Sequence, residues 1–240
     1  MPDEGRRSLS LSLVNIAETL RICVPTVFEA ATGHVDRHDC DDRLSRWCWR
    51  VLEHADIRLT VRGREHVDTG ATYVVMSNHQ SLYDVPVIFC VLGGRMRMVA
   101  KEELFRVPIF GAAMREAGFI FIDRSNRNRA IRSLGVAKSE LEKGTCVWIA
   151  PEGTRSRDGA LGPFKKGGFH LALETRTPVL PITVKGTRNV LRAKGVRSLR
   201  GVAVEVVLHE PVAPDAYLAM GRGGRDAMMA EVRRRIESAL

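Results

Sequence analysis

The stretch "TYVVMSNHQSLYDVPVIFCVL", residues 72–92, decides the fold. Its first five residues form a short apolar run, the pattern of a strand near 72–76, and residues 85–92 read as an apolar helix. Between them lies "SNHQSLYD", residues 77–84, a polar turn that sets His79 and Asp84 five positions apart. With the run as a strand, His79 stands just past its end, where open α/β sheets place their sites. Asp84 then falls within or near the first turn of the next helix.

Two readings of the turn stay open. In one, Asp84 accepts a hydrogen bond from one imidazole nitrogen of His79, fixes its tautomer, and leaves the other nitrogen to take a proton from an alcohol. In the other, Ser81-Leu82-Tyr83-Asp84 is a capping box whose serine and carboxylate satisfy orphan backbone donors. Pro86 weighs on the second. With Ser81 as N-cap the proline would take the fifth helical position, where its missing donor matters, so a start at Asp84 suits it better.

Outward from this unit, further strands are expected near 57–62, 96–100, 119–123, 145–150, 179–184 and 202–208. Helices are expected near 109–116, 126–142, 166–175 and 224–239, with Gly144 at the C-terminal cap of the second of these. The alternation predicts an α/β fold over residues 56–240, a layered α/β/α domain with a mixed, largely parallel central sheet.

Residues 1–55 read differently, as an amphipathic helical segment. Leu13, Ile16, Ala17, Leu20, Cys23, Val24 and Val27 recur at helical spacing; Pro25 is expected to kink or divide that helix and Gly33 to end it. A second stripe, Leu44, Trp47, Cys48, Val51 and Leu52 with Arg43, Arg46 and Arg50 nearby, suits either a membrane interface or packing on the main domain. Between the stripes, "HVDRHDCDD", residues 34–42, invites a metal reading. Mixed His/Asp loops are usually solvated and no second ligand cluster has a recognised spacing, so no metal is expected.

Composition narrows the function. The net charge of +9 favours anionic partners, whether nucleic acid, lipid headgroups or phosphorylated metabolites. Five cysteines, an odd number without C-x-x-C, argue against a disulfide framework and fit a reducing cytoplasmic setting. Charged or clustered polar residues interrupt every apolar run before roughly 18 residues, so no spanning helix is expected. Arg6 and Arg7 before a short apolar stretch imitate a signal peptide, but Glu18 and Arg21 interrupt it without a small-x-small cleavage site, so it is read as mature protein. Nucleic acid is disfavoured despite the basic run "NRNRAIR": three tyrosines and three tryptophans form no stacking pattern. G-x-S-x-G, the P-loop and the dinucleotide fingerprint are all absent, which lowers covalent serine chemistry and nucleotide hydrolysis.

Three further segments bring cations and glycines to predicted strand ends. "GFIFIDRSNRNR" ends a strand in Asp123 and Arg124; "APEGTRSRDG" is a turn carrying Glu152 and Arg155; "GPFKKGGFHLAL" sets Lys165 and Lys166 before a helix. Arginine forks grip phosphate, and glycine permits close backbone approach.

With these residues in place, the chain resembles the lysophosphatidic acid acyltransferase family, the 1-acylglycerol-3-phosphate acyltransferases of phospholipid synthesis, over roughly Ile57 to Val212. The blocks that carry the resemblance are N-H-x-S-x-x-D (Asn78, His79, Ser81, Asp84), "FIDR" (Phe121–Arg124), "PEGTRS" (Pro151–Ser156) and "VLPITV" (Val179–Val184). "AKEELF", with Lys101, Glu102 and Leu104, resembles the family's K-x-E-L element. The family's third block is usually preceded by phenylalanine; here Ala150 stands there.

The resemblance implies that His79, supported by Asp84, deprotonates the free sn-2 hydroxyl of lysophosphatidic acid, which then attacks the thioester of acyl-CoA or an acyl-carrier protein to give phosphatidic acid. No enzyme nucleophile, cofactor or metal is implied. Lys101, Arg124 and Arg155 would hold the acceptor phosphate, and Glu152, Gly153 and Thr154 would shape its glycerol site. Backbone amides near the third block are candidates for the oxyanion. Peripheral attachment to a membrane surface with anionic lipids, at the cytoplasmic face of the cell membrane, is expected of the basic surface and residues 1–55. Alternative acceptors are another lysophospholipid, a lyso-aminolipid or glycerol 3-phosphate. A non-enzymatic peripheral membrane-binding module would share the charge and the helical start but leaves the ordered blocks unexplained.

Overall fold

The structure is a computed structural model that describes residues 7–93, 96–123 and 127–240. Two helices lead the chain, α1 (Leu9–Ala31) and α2 (Arg37–His54), followed by strand β1 (Arg58–Arg62). Next come β2 (Val74–Ser77), α3 (Asp84–Leu92), β3 (Met96–Lys101), α4 (Phe110–Glu116), β4 (Ile120–Ile122), α5 (Arg127–Glu142) and β5 (Cys146–Ile149). The chain continues through α6 (Gly167–Thr175), β6 (Val179–Lys185), the single turn α7 (Thr187–Val190), β7 (Ala203–Leu208), the short α8 (Asp215–Ala219) and α9 (Gly224–Glu237).

The strands form one seven-stranded sheet in the order β1-β7-β6-β2-β5-β3-β4. Every pair is parallel except β6 with β7, so the sheet is mixed and largely parallel, as expected. Because side chains alternate along a strand, β2 feeds both faces. Val75 joins one core with residues of α1, α2 and α3, while Val74 and Met76 join another with residues of α5, α6 and α9. All four residues of β2 are buried, which explains its unbroken apolar reading. At the end of α5, Gly144 adopts φ +79 and the amide of Thr145 reaches back to the carbonyl of Glu140, the cap the sequence signals.

Three features of the amino-terminal segment refine the sequence reading. First, α1 is one continuous helix with Pro25 inside it. Tertiary contacts brace it on both sides of the proline: the indole of Trp47 donates to Thr19 Oγ1 at 3.1 Å, and Arg43 pairs with Glu29. Second, α1 is long and apolar enough to cross a bilayer by length and composition. The interrupting charges do not shorten it, because Glu18 and Arg21 pair along the helix at 3.7 Å and Arg50 of α2 lies 3.5 Å from Glu18. Third, most of the apolar stripe points outward, the direction that docking by residues 1–55 needs: Leu13, Ile16, Leu20 and Val24 are exposed, whereas Cys23 of the stripe is buried together with Leu11 and Thr26.

The stripe of α2 behaves in the opposite way. Leu44, Cys48, Val51 and Leu52 are buried in the core shared with α3. Of its two readings, packing on the main domain is the one realised. The 34–42 segment becomes the start of this helix: Asp36 caps it by accepting from the amide of His38 at 2.7 Å, and Asp41 pairs with the buried Arg97 at 2.8 Å.

Candidate active site

Parallel strands deliver their C-terminal ends to one edge, and there the chemistry-bearing turns meet. The turn after β2 carries His79, whose Nδ1 lies 2.7 Å from Asp84 Oδ2. The same carboxylate oxygen accepts from the amides of Gln80 at 2.7 Å and Ser81 at 2.9 Å, and Oδ1 accepts from the hydroxyl of Thr187 at 2.5 Å. Asp84 is fully buried yet saturated with donors, the condition under which a carboxylate is retained inside a fold.

The two readings of the turn are therefore both partly met. Helix α3 begins at Asp84, as Pro86 requires, and Asp84 holds both the imidazole and two turn amides. Ser81 is no N-cap of α3. Its hydroxyl donates to the carbonyl of Leu191 at 2.8 Å and accepts from the amide of Tyr83 at 3.2 Å.

The neighbouring residues fix the turn to the sheet. Asn78 Nδ2 donates to the carbonyl of Val184 at 2.8 Å, and the amide of Val184 donates back to Asn78 Oδ1 at 2.7 Å, which extends the β2–β6 ladder by a side chain. Trp148 of β5 donates to Ser77 Oγ at 3.0 Å and meets the His79 ring edge-on at 6.1 Å. His79 itself keeps 19% of its side chain open to solvent, so its second nitrogen can be reached.

The "PEGTRS" turn follows β5, next to β2 in the sheet, and docks onto His79 through its backbone. Glu152 Oε1 accepts from the amide of His79 at 2.9 Å, Oε2 accepts from the amide of Gly162 at 2.8 Å, and the amide of Ser156 donates to the carbonyl of His79 at 2.7 Å. Burial pushes the Glu152 carboxyl above the ordinary range, and the two amide bonds act against that rise. With both oxygens occupied, Glu152 is built as a brace between the two turns. Gly153 takes φ +73, which only glycine adopts freely, and turns the chain so that Thr154 is exposed and Arg155 half-buried.

Farther along the same edge, β3 ends in the exposed Lys101, two strands from β2 and so ~10 Å away by strand spacing. Lys101 lines a polar cavity of about 590 Å³ with Glu102, Arg106, Asp123 and Arg129. Glu102 pairs there with Arg106 at 3.0 Å, and Asp123 pairs with Arg129 at 3.3 Å. Arg124 lies outside the described residues. Sequence reasoning missed Thr187, which completes the shell of Asp84; the signal was a Gly-Thr pair just beyond the predicted strand 179–184. No group of three metal-ligating side chains occurs among the described residues.

Known proteins resemble this chain in sequence and in fold. The sequence model of the family described as Acyltransferase matches residues 58–185. The chain is 37% identical over 182 residues to 1-acyl-sn-glycerol-3-phosphate acyltransferase alpha of Homo sapiens, covering 74% of this chain and 64% of that protein. To the 1-acyl-sn-glycerol-3-phosphate acyltransferase of Cocos nucifera it is 37% identical over 160 residues, 66% of this chain and 51% of that one. The matched region thus spans less than two thirds of these curated relatives. The crystal structure of the 1-acyl-sn-glycerophosphate (LPA) acyltransferase PlsC from Thermotoga maritima matches with a TM-score of 0.71 at 26% identity, covering 95% of this chain and 97% of that chain. The family match opens at β1, closes at the end of β6 and encloses His79, Asp84, Lys101 and the 151–156 turn: the chain belongs to the acyltransferase family, with 1-acyl-sn-glycerol-3-phosphate acyltransferases as its relatives.

Proposed function

We propose that this protein moves a fatty acyl group from an acyl thioester to the sn-2 hydroxyl of lysophosphatidic acid, giving phosphatidic acid. The observation that carries the reading is the 2.7 Å bond between His79 Nδ1 and a buried Asp84. Asp84 can only accept, so it keeps the proton on Nδ1 and leaves Nε2 with a lone pair for the acceptor hydroxyl. Nε2 takes the hydroxyl proton as the oxygen attacks the thioester carbonyl. The tetrahedral intermediate then collapses, breaking the C–S bond, and the imidazolium returns the proton to the departing thiolate.

The developing oxyanion needs aimed donors. Around the third motif the amides of Gly153, Ser156 and Lys165 are taken by the carbonyls of Ala150, His79 and Pro151. Those of Thr154 and Arg155 have no backbone partner among the described residues, and we assign them to the oxyanion. Arg155 and Lys101, whose side chains form no ion pair among the described residues, are the groups for the acceptor phosphate; the family resemblance adds Arg124 of the "FIDR" block to them. Charge-assisted bonds of this kind suit a phosphate monoester. Glu152 acts through His79 as a positioning residue.

The outward stripe of α1 supports docking on a membrane surface, with the net charge of +9 drawing the protein to anionic lipid. We place it as peripheral at the cytoplasmic face, α1 lying along the interface. Acyl-CoA or an acyl-carrier protein supplies the acyl group. Purified protein in lipid micelles, given acyl-CoA and lysophosphatidate, is expected to form phosphatidate, and His79→Ala to lower the rate by about 10³-fold. Equal turnover by the mutant rejects the mechanism. Turnover only with other lysolipids or glycerol 3-phosphate rejects the acceptor.

A further inference from the structure

Ahead of α4 the chain makes a conformation that ordinary sequences avoid. Ile109 sits at φ 65 and ψ −58, and the amide of Phe110 reaches the carbonyl of Pro108 at 2.7 Å. This is a γ-turn of the strained kind, centred on a β-branched residue that rarely takes positive φ. Such strain persists only where the surroundings over-determine it.

The surroundings do so. A Cβ on Gly111 would lie 2.2 Å from the Phe105 carbonyl oxygen, so the backbone there is pressed against the loop. Arg115 donates to that same oxygen at 2.7 Å and to the carbonyl of Gly111 at 3.2 Å. The Phe105 ring is buried between the Arg115 guanidinium, 6.0 Å away, and the Phe121 ring, 5.5 Å away. Yet this rigid frame leaves Leu104 38%, Val107 45%, Ile109 43% and Phe121 46% exposed. A flexible loop could fold such groups inward, whereas this one holds them in solvent as one apolar patch.

What covers the patch follows from its neighbours. Ile22, Cys23 and Thr26 of α1 share an apolar cleft with Phe110, Ala113 and Met114 of α4, so the loop borders the half of α1 that exposes Leu20, Val24 and Phe28. Lys101 and Arg106 flank it on the side of the polar cavity, where Glu102 is engaged by Arg106 and the exposed Glu103 also lies. Exposed aliphatic side chains flanked by Lys101 and Arg106, beside a helix that itself exposes apolar residues, match a bilayer interface. We infer that the loop Leu104–Ile109 is a second membrane-inserting element, a rigid prong that enters one leaflet of an anionic bilayer beside the acceptor site. The inference rests on the proposed docking of α1.

The test uses the full chain with phosphatidylcholine vesicles, with and without phosphatidylglycerol, and the variants Val107→Ser, Ile109→Gly and their combination. Wild type is expected to bind the anionic vesicles, and the combined variant to bind roughly tenfold more weakly. Ile109→Gly is the sharper probe, since glycine takes positive φ without strain. Its melting temperature should hold or rise while its vesicle affinity falls several-fold. All three variants should retain turnover on a water-soluble short-chain lysophosphatidate. Wild-type binding with unchanged affinity in the variants overturns the prong and leaves the α1 docking intact. Failure of wild type to bind overturns both. Loss of affinity for an acyl-carrier protein with vesicle affinity intact assigns the loop to a protein partner and overturns the inference.

Discussion

Two histidines on opposite edges of the sheet are held by buried partners, to opposite ends. His79 follows β2 at the C-terminal edge of the parallel strands, and its Nδ1 faces the carboxylate of Asp84. His209 follows β7, which runs antiparallel to β6 and so ends at the other edge. There Thr183 Oγ1 donates to the carbonyl of Ile236 at 2.7 Å, and its oxygen accepts from His209 Nε2 at 2.9 Å. Burial first, then repulsion from Arg235 and His66, pushes His209 down to about 4. One imidazole is placed beside an anion, which would stabilise the cation formed in the proposed proton transfer; the other is kept neutral by burial first and by Arg235 and His66 after it. Burial beside cations sets the structural ring apart from the proposed base, whose neighbour is a carboxylate.

The strongest way to break this contrast is to neutralise the anion. Asp84→Asn keeps the shape but removes the acceptor that fixes the His79 tautomer, and kcat is expected to fall by about 10³-fold with KM little changed. The amide also sets its own donors among those of Gln80, Ser81 and Thr187, which should cost about 1–3 kcal/mol of stability. Steady-state kinetics together with thermal melts separate the two effects. A variant with wild-type kcat would show that His79 needs no orienting carboxylate.

Glu152→Gln asks whether His79 is placed from both sides. One of the amides of His79 and Gly162 would then face an NH₂ group, and the expected loss is about 10–100-fold in kcat/KM, carried mainly by kcat. A rise in KM for the acceptor with kcat preserved would return Glu152 to the glycerol site. At the exposed rim the expectation reverses. Lys101→Ala and Arg155→Ala should each raise KM for lysophosphatidate about tenfold with kcat nearly unchanged, because a lost charge-assisted bond weakens binding without moving the base. An equal fall in kcat would place them in the reacting geometry.

Legibility in the sequence followed the same division. The strands were readable because β2 is buried along its whole run, β6 is buried up to Val184, and β7 buries alternate residues, Val204, Val206 and Leu208. His79 and Asp84 were readable as a pair since both lie in one turn, five residues apart. Thr187 was not, because it reaches Asp84 across 103 positions, and only the β2–β6 pairing brings them together. The brace formed by Glu152 was hidden for the same reason: its partners are backbone amides, which carry no residue-type signal. On α1 the periodicity was legible, but which of its members turn inward was not. Spacing gives a stripe, and Cys23 leaves it for the interior because, with Thr26, it lines a cleft shared with Cys40 of α2 and Phe110 of α4.

The smallest expected effect isolates the far edge. Because His209 is depressed in the fold, the unfolded chain binds more protons between about 4 and the ordinary value of 6.5. Stability is therefore full above pH 6.5 and declines as pH falls toward 4, by about 1–2 kcal/mol once solvent screening of this part-exposed ring is allowed for. His209→Gln keeps a donor toward Thr183 without a titrating ring, so chemical-denaturant midpoints at pH 7 and pH 5 should differ less in the variant than in wild type. The same variant should leave the pH profile of acyl transfer unaltered, since that profile belongs to His79 on the opposite edge. If His209→Gln instead shifts the activity profile while the stability slope stays, the two edges are coupled, and the division of labour between the two histidines fails.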